Sequence, residues 1–247
     1  MISWRAEGTL LAARPQGEAH AILEVLTEAH GRHAGLVHGG ASRRMAAILQ
    51  PGAQLDLAWR ARTDGALGSF QVEPVRLRAA ALLSDGLALG ALGSVCALLI
   101  FALPERQPHP RLYAATQTLL DALGGAEAAR WLPLYLEWEA LLLEETGFGL
   151  DLRACAVTGA TEDLAYVSPK TGRAVSRAGA AGWEGRLLPL PEVLLGGPGG
   201  PAEIARALGV TGHVLERHLA PAMGARPLPE ARARLLAALA RHVRRGD

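Results

Sequence analysis

The stretch Gln54-Leu-Asp-Leu-Ala-Trp-Arg-Ala-Arg62 carries the cleanest two-residue period in the chain. Leu55, Leu57, Trp59 and Ala61 fall on one side and Gln54, Asp56, Arg60 and Arg62 on the other, the pattern of a half-buried β-strand. Just upstream, Pro51-Gly52 punctuates the chain, and before it Ser42 to Gln50 changes period. There Ser42 can cap a helix whose Met45, Ile48 and Leu49 stand at helical spacing. Further out lie three more strand patterns. Glu7 to Arg14 ends at the Pro15-Gln16-Gly17 turn, and Ala19 to Thr27 centres on Ile22, Val25 and Leu26. Ala34 to His38 follows the turn His30-Gly31-Arg32. Downstream, Phe70 to Leu77 reads as a fifth strand, with Pro74 marking an edge or a bulge.

The order is therefore three strands, a short helix, then two strands. A five-stranded Greek-key barrel with its helix between the third and fourth strands is the oligonucleotide/oligosaccharide-binding fold. A small SH3-like barrel is the competing assignment, but it does not normally carry a helix there. Residues 1–79 are thus expected to form this barrel, and residues 80–247 a mainly α-helical domain, giving an α+β protein.

Past residue 79 the texture is helical. Ala80 to Leu103 reads as one helix or a broken pair stopped at Pro104, and Arg111 to Leu123 as another, ended by Gly124-Gly125. Ala126 to Thr146 is a long amphipathic element with Trp131, Leu134, Trp138, Leu141 and Leu142 on its inner face. Residues 151–190 break the pattern and read as short, polar and turn-rich. Two further helices are expected over Ala202 to Leu219 and Pro229 to Arg245. Gly86 to Leu103 holds 18 residues without a charge, the nominal length of a membrane span. Its many Ala and Gly residues and the absence of a flanking Lys/Arg cluster favour a helix buried on all sides.

The formal charge is +1, with 25 Lys/Arg against 24 Asp/Glu. Residues 1–80 hold nine Arg and seven Asp/Glu, a tilt of +2; the other 167 residues hold 16 basic and 17 acidic groups, or −1. That is far milder than the basic footprint of a strong nucleic-acid binder. Cys96 and Cys155 cannot build a disulfide framework, and the N-terminus begins with charged, strand-like sequence rather than a secretory signal. The expected compartment is the cytoplasm, at the nucleoid.

The barrel's cations are the candidate DNA contacts. Arg32, His38, Arg43, Arg44, Arg60 and Arg62 lie on the third and fourth strands, the short helix and their turns, bordering the face along which single strands lie in this fold. Arg60 and Arg62 share a strand face about 7 Å apart at the Cα level, near the repeat of an extended phosphate chain. Solvated arginines on a barrel exterior would give the same sequence. Stacking platforms are scarce: Trp4, Trp59 and Phe70 are the aromatics of this region, and Trp59 points inward. Binding of this kind leans on phosphate charge, falls steeply with salt and reads little sequence.

Three other segments invite functional readings. Cys155-Ala-Val-Thr158 and Ser176-Arg-Ala-Gly179 share the frame of paired C-x-x-C knuckles, 17 residues apart, yet one position in four is a cysteine. A structural zinc needs four closed ligands, so no metal is expected. Residues 202–219, with a glycine in the turn and Gly212 inside the first turn of the second short helix, imitate a helix-turn-helix and support an alternative function as a sequence-specific DNA-binding regulator. Glu137/Glu139 and Glu144-Glu145 are paired carboxylates, read as the solvated face of their helix. No G-x-S-x-G elbow, H-E-x-x-H or Walker loop occurs, and nothing in the spacing makes Cys155 a thiol nucleophile. Neither catalysis nor a cofactor is expected.

Several ordered stretches together resemble one family. They are Gly35-Leu36-Val37 through Ala41-Ser42-Arg43-Arg44, Leu49-Gln50-Pro51-Gly52, and His109-Pro110-Arg111-Leu112-Tyr113. Glu137 to Asp151 then runs into Leu152-Arg153-Ala154-Cys155, followed by Tyr166-Val167-Ser168-Pro169 with Gly172, and by Arg226-Pro227-Leu228-Pro229-Glu230-Ala231-Arg232. The chain resembles the recombination mediator protein RecO family over essentially its whole length, in the proteobacterial form with decayed zinc knuckles. The resemblance implies a non-enzymatic protein that binds single- and double-stranded DNA and anneals strands coated with single-stranded-DNA-binding protein. It further implies joint action with RecR to load RecA. A pocket for the acidic, Phe-ended C-terminal tail of the single-strand-binding protein is implied in the helical domain, where Arg106, Arg111 and Arg130 are the candidate rim cations. Zinc does not carry over, because Thr158, Ser176 and Gly179 depart from the four-cysteine pattern.

Overall fold

The computed structural model describes residues 1–125 and 127–246. Five strands close the N-terminal barrel: β1 (Ile2–Gln16), β2 (His20–Thr27), β3 (Gly31–Val37), β4 (Gln54–Ala61) and β5 (Ser69–Arg76), in the order β1-β2-β3-β5-β4. β1 is long enough to serve two partners. Its first half pairs antiparallel with β4 from Ile2↔Ala61 to Thr9↔Gln54, and its second half with β2 from Gly8↔Thr27 to Gln16↔His20. A register shift between Leu10 and Ala12 bends the strand where it changes partner. β3 and β5 run parallel and meet at Leu36↔Ser69, which closes the ring. Helix α1 (Arg43–Ile48) sits between β3 and β4 in sequence, and the Ser42 hydroxyl accepts the Met45 N–H at 3.4 Å as its cap. Strand order and helix placement match the oligonucleotide-binding topology read from the sequence.

Alternation fills the barrel as the period-two pattern requires. Leu55, Leu57, Trp59 and Ala61 are buried with Leu10, Leu23, Val25 and Phe70, and Arg60 stays outside. Gln54 corrects that pattern: it is buried, its amide donating to Glu7 at 3.2 Å and to the Tyr113 hydroxyl at 3.1 Å. The first strand reaches well beyond Glu7 to Arg14 because Trp4 and Ala6 continue its half-buried face along β4. The third strand starts at Gly31, since His33 already points into the core.

The chain forms two compact units. The first runs to the Gly124-Gly125 turn and includes residues 229–235, so α2 (Gly86–Ala102) and α3 (Pro110–Leu123) cluster with the barrel. Composition changes at residue 79 while packing does not. Asp85 caps α2 by accepting the Leu87 and Ala88 N–H groups, and ten of the helix's residues are buried, Cys96 among them. That explains its uncharged sequence, and among the described residues no helix is long and apolar enough to cross a membrane. Buried Arg78 ties α3 to the barrel through Asp121 at 2.7 Å, Gln117 at 2.8 Å and the Gly52 carbonyl at 3.1 Å.

The second unit comprises residues 127–228 and those from 236 on. In α4 (Ala128–Glu145), Trp131, Leu132, Tyr135, Trp138 and Leu142 are buried, whereas Leu134 and Leu141, expected on that face, are half-buried. Glu139 is no solvated carboxylate: it is fully buried and accepts the Thr211 hydroxyl. Residues 151–190 contain a small sheet of β6 (Leu164–Val167), β7 (Ala174–Ser176) and β8 (Leu188–Pro189), in the order β7-β6-β8.

The helix-turn-helix expectation is overturned. α5 (Pro201–Val214) runs without a turn through a π-helical stretch, Leu215–Leu219, into α6 (Ala220–Ala222), and Gly212 is buried within α5. The π stretch has an identifiable cause in Pro221, which lacks an N–H and whose ring would strike the Arg217 carbonyl in a regular helix. Adding one residue to the turn, with Ala220 N–H bonding the Leu215 carbonyl, relieves that clash. One continuous helix has no second element to lay in a groove, so the sequence-specific regulator has no structural basis here. The last helix is α7 (Glu230–Arg245).

Candidate nucleic-acid interface

Ion pairing sorts the barrel's arginines into two groups. Arg5 pairs with Asp56, Arg14 with Glu24, and Arg76 and Arg78 with Asp121. Arg32, expected among the DNA contacts, belongs with these. Its side chain is 14 % exposed, pairs with Glu24 and Glu105, and donates from Nε to the Leu103 carbonyl at 2.9 Å. Its place on the β3 rim put it beside Glu24 of β2, so its charge is spent within the fold. Arg43, Arg44, Arg60 and Arg62 are all exposed, and none pairs with a carboxylate among the described residues.

Those four arginines, with exposed His38, decorate α1, the end of β3 and the end of β4. A groove of about 440 Å³ runs between these elements. His38, Arg60, Ser69 and Gln71 give it polar sides, while Met45, Phe70 and Val72 supply an apolar floor. It forms where β3 and β5 meet at one residue pair, leaving the sheet surface open beside α1. Cationic rim over apolar floor suits a phosphate chain whose bases turn inward.

Aromatic and histidine side chains gather at Trp4 and Trp59, a grouping the sequence did not announce. Trp4 stacks on His30 with ring centroids 4.2 Å apart and on Trp59 at 5.7 Å, and His33 meets Trp59 edge-on at 4.7 Å. His33 is buried, and neither of its ring nitrogens has a hydrogen-bond partner among the described residues. Burial, with the nearby Arg106 charge second, pushes its imidazole down to about 4. The available signal was the alternation of β3, which turns His33 to the same side as Gly35 and Val37.

The three arginines expected around a partner tail are divided between the two units. Arg106 and Arg111 belong to the barrel unit and Arg130 to the other. Arg106 lies against the barrel, donating to the Ala66 carbonyl at 2.6 Å with its guanidinium 5.8 Å from the centre of the Trp59 ring. Arg111 and Arg130 are exposed, on α3 and α4.

The four knuckle positions do converge. The Cys155 sulfur accepts N–H groups of Val157, Thr158 and Ser176 at 3.4, 3.4 and 3.2 Å, and the Ser176 hydroxyl at 3.3 Å. Gly179 donates its N–H to the Ser176 hydroxyl at 3.1 Å, and a Cβ on Gly179 would stand 2.8 Å from the sulfur. Burial alone would raise the thiol; the donors of Ser176 and Thr158 outweigh it and bring it down to about 6. One thiol, two hydroxyls and a glycine do not fit a structural zinc. Hydrogen bonds to one sulfur hold this turn pair together.

Comparison with known proteins agrees with this architecture. Residues 1–78 match the family model described as Recombination protein O N terminal, and residues 83–227 match Recombination protein O C terminal. The DNA repair protein RecO of Cereibacter sphaeroides is 60 % identical over 242 residues, covering 98 % of this chain and 100 % of the relative. Those of Dinoroseobacter shibae and Roseobacter denitrificans are 58 % and 57 % identical, each over 98 % of this chain and 99 % and 100 % of the relative. A barrel of oligonucleotide-binding topology, matches to both family models and identity of this order over 98 % of the chain lead to one assignment: the chain belongs to the recombination protein O family.

Proposed function

We propose that this chain is a non-enzymatic mediator of DNA repair and recombination. It binds single- and double-stranded DNA through the barrel, anneals complementary strands, and works with RecR to load RecA onto DNA coated with single-strand-binding protein. Family membership supports the repair role. The observation that carries the DNA contact is the set of four exposed arginines, Arg43, Arg44, Arg60 and Arg62, without carboxylate partners among the described residues, beside a groove floored by apolar side chains. Unpaired guanidinium groups can exchange water and counterions for phosphates, whereas Arg5 or Arg32 would first have to give up an ion pair. Annealing follows from the same chemistry. A sequence-blind cationic surface screens two backbones at once, lets complementary bases meet, and releases the neutralised duplex.

The test measures annealing of two complementary oligonucleotides, bare and coated with single-strand-binding protein, by wild type and by Arg43→Ala/Arg44→Ala and Arg60→Ala/Arg62→Ala proteins. Wild type should accelerate annealing and both double variants should lose most of that acceleration. Annealing unchanged in both variants would remove the barrel from the reaction. Capture of single-strand-binding protein with and without its C-terminal tail tests the partner assignment, with loss of capture on tail removal as the expected result.

A further inference from the structure

Two segments far apart in sequence, Leu103–Gln107 and the β4–β5 loop of residues 62–68, are joined to each other through one side chain. The Arg106 guanidinium donates from Nη2 to the Ala66 carbonyl at 2.6 Å, approaches Asp64 at 3.4 Å and lies over Trp59 at 5.8 Å. Trp59 holds the same loop from below, donating its indole N–H to the Leu67 carbonyl at 3.1 Å. The strap carrying Arg106 is itself seated on β3. The Arg106 N–H donates to the Arg32 carbonyl at 2.7 Å, and Arg32 returns a bond from Nε to the Leu103 carbonyl at 2.9 Å. At the start of β3, Gly31 has φ +61° and a Cβ there would stand 2.0 Å from the Gln107 carbonyl oxygen, so the approach is close enough to require glycine. Arg106 has φ +63°, a left-handed conformation that non-glycine residues seldom adopt. Such backbone persists where surrounding contacts over-determine it, and it clusters at functional sites.

The fastened loop matters for its two ends. It begins with exposed Arg62 and leads directly into Ser69, whose pairing with Leu36 closes the barrel and whose neighbours Phe70 and Gln71 line the groove. We infer that Arg106 is a positioning residue for nucleic acid: it clips the β4–β5 loop to the barrel, so that Arg62 and the β5 wall of the groove stand ready for a single strand. The inference rests on the proposed DNA contact of the barrel. Arg106 acts through the loop and touches no phosphate itself. Its planar fork is needed for this, because a lysine carries the same charge but neither stacks on Trp59 in the same way nor reaches two acceptors in one plane.

The experiment measures the affinity of the full chain for fluorescein-labelled oligo(dT) by anisotropy over a salt series. It compares wild type, Arg106→Lys and Arg106→Gly; the glycine variant removes the side chain while accepting the left-handed backbone, so its fold is spared. Both variants should bind about tenfold more weakly, with the slope of log affinity against log salt unchanged, because pre-organisation and not a phosphate contact has been lost. In the glycine variant the His33 imidazole, read by NMR, should titrate higher once the neighbouring charge is gone. Restored affinity in Arg106→Lys, or a slope shallower by about 0.7, would make Arg106 a direct phosphate contact and overturn the inference. Wild-type affinity in both variants would also overturn it, leaving the clip without a part in binding. If wild type itself fails to bind oligo(dT), the proposed function falls, and the inference with it.

Discussion

His33 shows most plainly what one buried side chain costs. Its ring is enclosed by Trp4, Trp59 and Phe70, with no partner for either nitrogen among the described residues, so the neutral form is strongly preferred. The folded imidazole titrates at about 4, against an ordinary 6.5 in the unfolded chain. The unfolded state therefore takes up the proton first as pH falls, and stability present above about 6.5 is lost progressively down to the folded value. Between pH 7.5 and pH 5 the loss from this residue amounts to about 2 kcal/mol. Urea unfolding at the two pH values should show it in wild type and not in His33→Leu, with other titrating groups cancelling in the comparison. An equal loss in both proteins would show that another group carries the acid sensitivity. The period of β3 could have pointed His33 inward, but not its isolation, which depends on rings supplied by β1, β4 and β5. The solvated reading of Glu139 failed for the same reason, since its partner Thr211 lies on another element, and the ion pair of Arg32 with Glu24 was equally out of reach of one strand's period.

At the scale of elements, local rules carried the barrel well and failed where one element leans on another. The alternation of β4, the Ser42 cap and the Pro51-Gly52 stop are properties of short windows, and all are present in the fold. Helix α5 misled because its glycines read as the turn of a helix pair, while Ile204, Ala207, Leu208, Thr211 and Leu215 together bury a face that keeps the helix unbroken. The knuckle lies between these cases. Its spacing was legible and its lack of thiols was legible, yet the turns still close around Cys155. The Ser176 hydroxyl stands 3.3 Å from that sulfur, and a Cβ on Gly179 would crowd it at 2.8 Å, a clash the Cys155 side chain can relieve by turning, so the four positions of the frame lie gathered at one point without four ligands. Thr158→Cys/Ser176→Cys/Gly179→Cys should therefore bind one zinc tightly, by metal analysis and chelator competition, and melt at higher temperature with metal than without. The wild-type chain, assayed in parallel, should not. A triple variant that folds but takes up no zinc would show that the turns have drifted from tetrahedral geometry.

For the whole molecule, net charge is a poor guide to nucleic-acid binding, because it counts cations that the fold has already consumed. The first 80 residues carry nine arginines against seven carboxylates, a sum of +2 that argues little by itself. Pairing resolves the sum: Arg5, Arg14, Arg32, Arg76 and Arg78 are engaged, and Arg43, Arg44, Arg60 and Arg62 remain on one side of the account. Sequence placed all four among the candidates; only the structure separates them from Arg32. Each phosphate neutralised on a single strand contributes about 0.7 to the slope of log affinity against log salt, so four contacts predict a slope near −3. Raising salt from 50 to 200 mM should then weaken oligo(dT) binding about fiftyfold. Arg43→Ala/Arg44→Ala should halve the slope and reduce the salt effect to about sevenfold, whereas Arg5→Ala should leave the slope unchanged because its charge is held by Asp56. A wild-type slope near zero would mean that stacking on the groove floor dominates, and one much steeper than −3 that cations outside the barrel share the strand. The slope thus counts the contacts that pairing leaves free, which neither composition nor net charge can do.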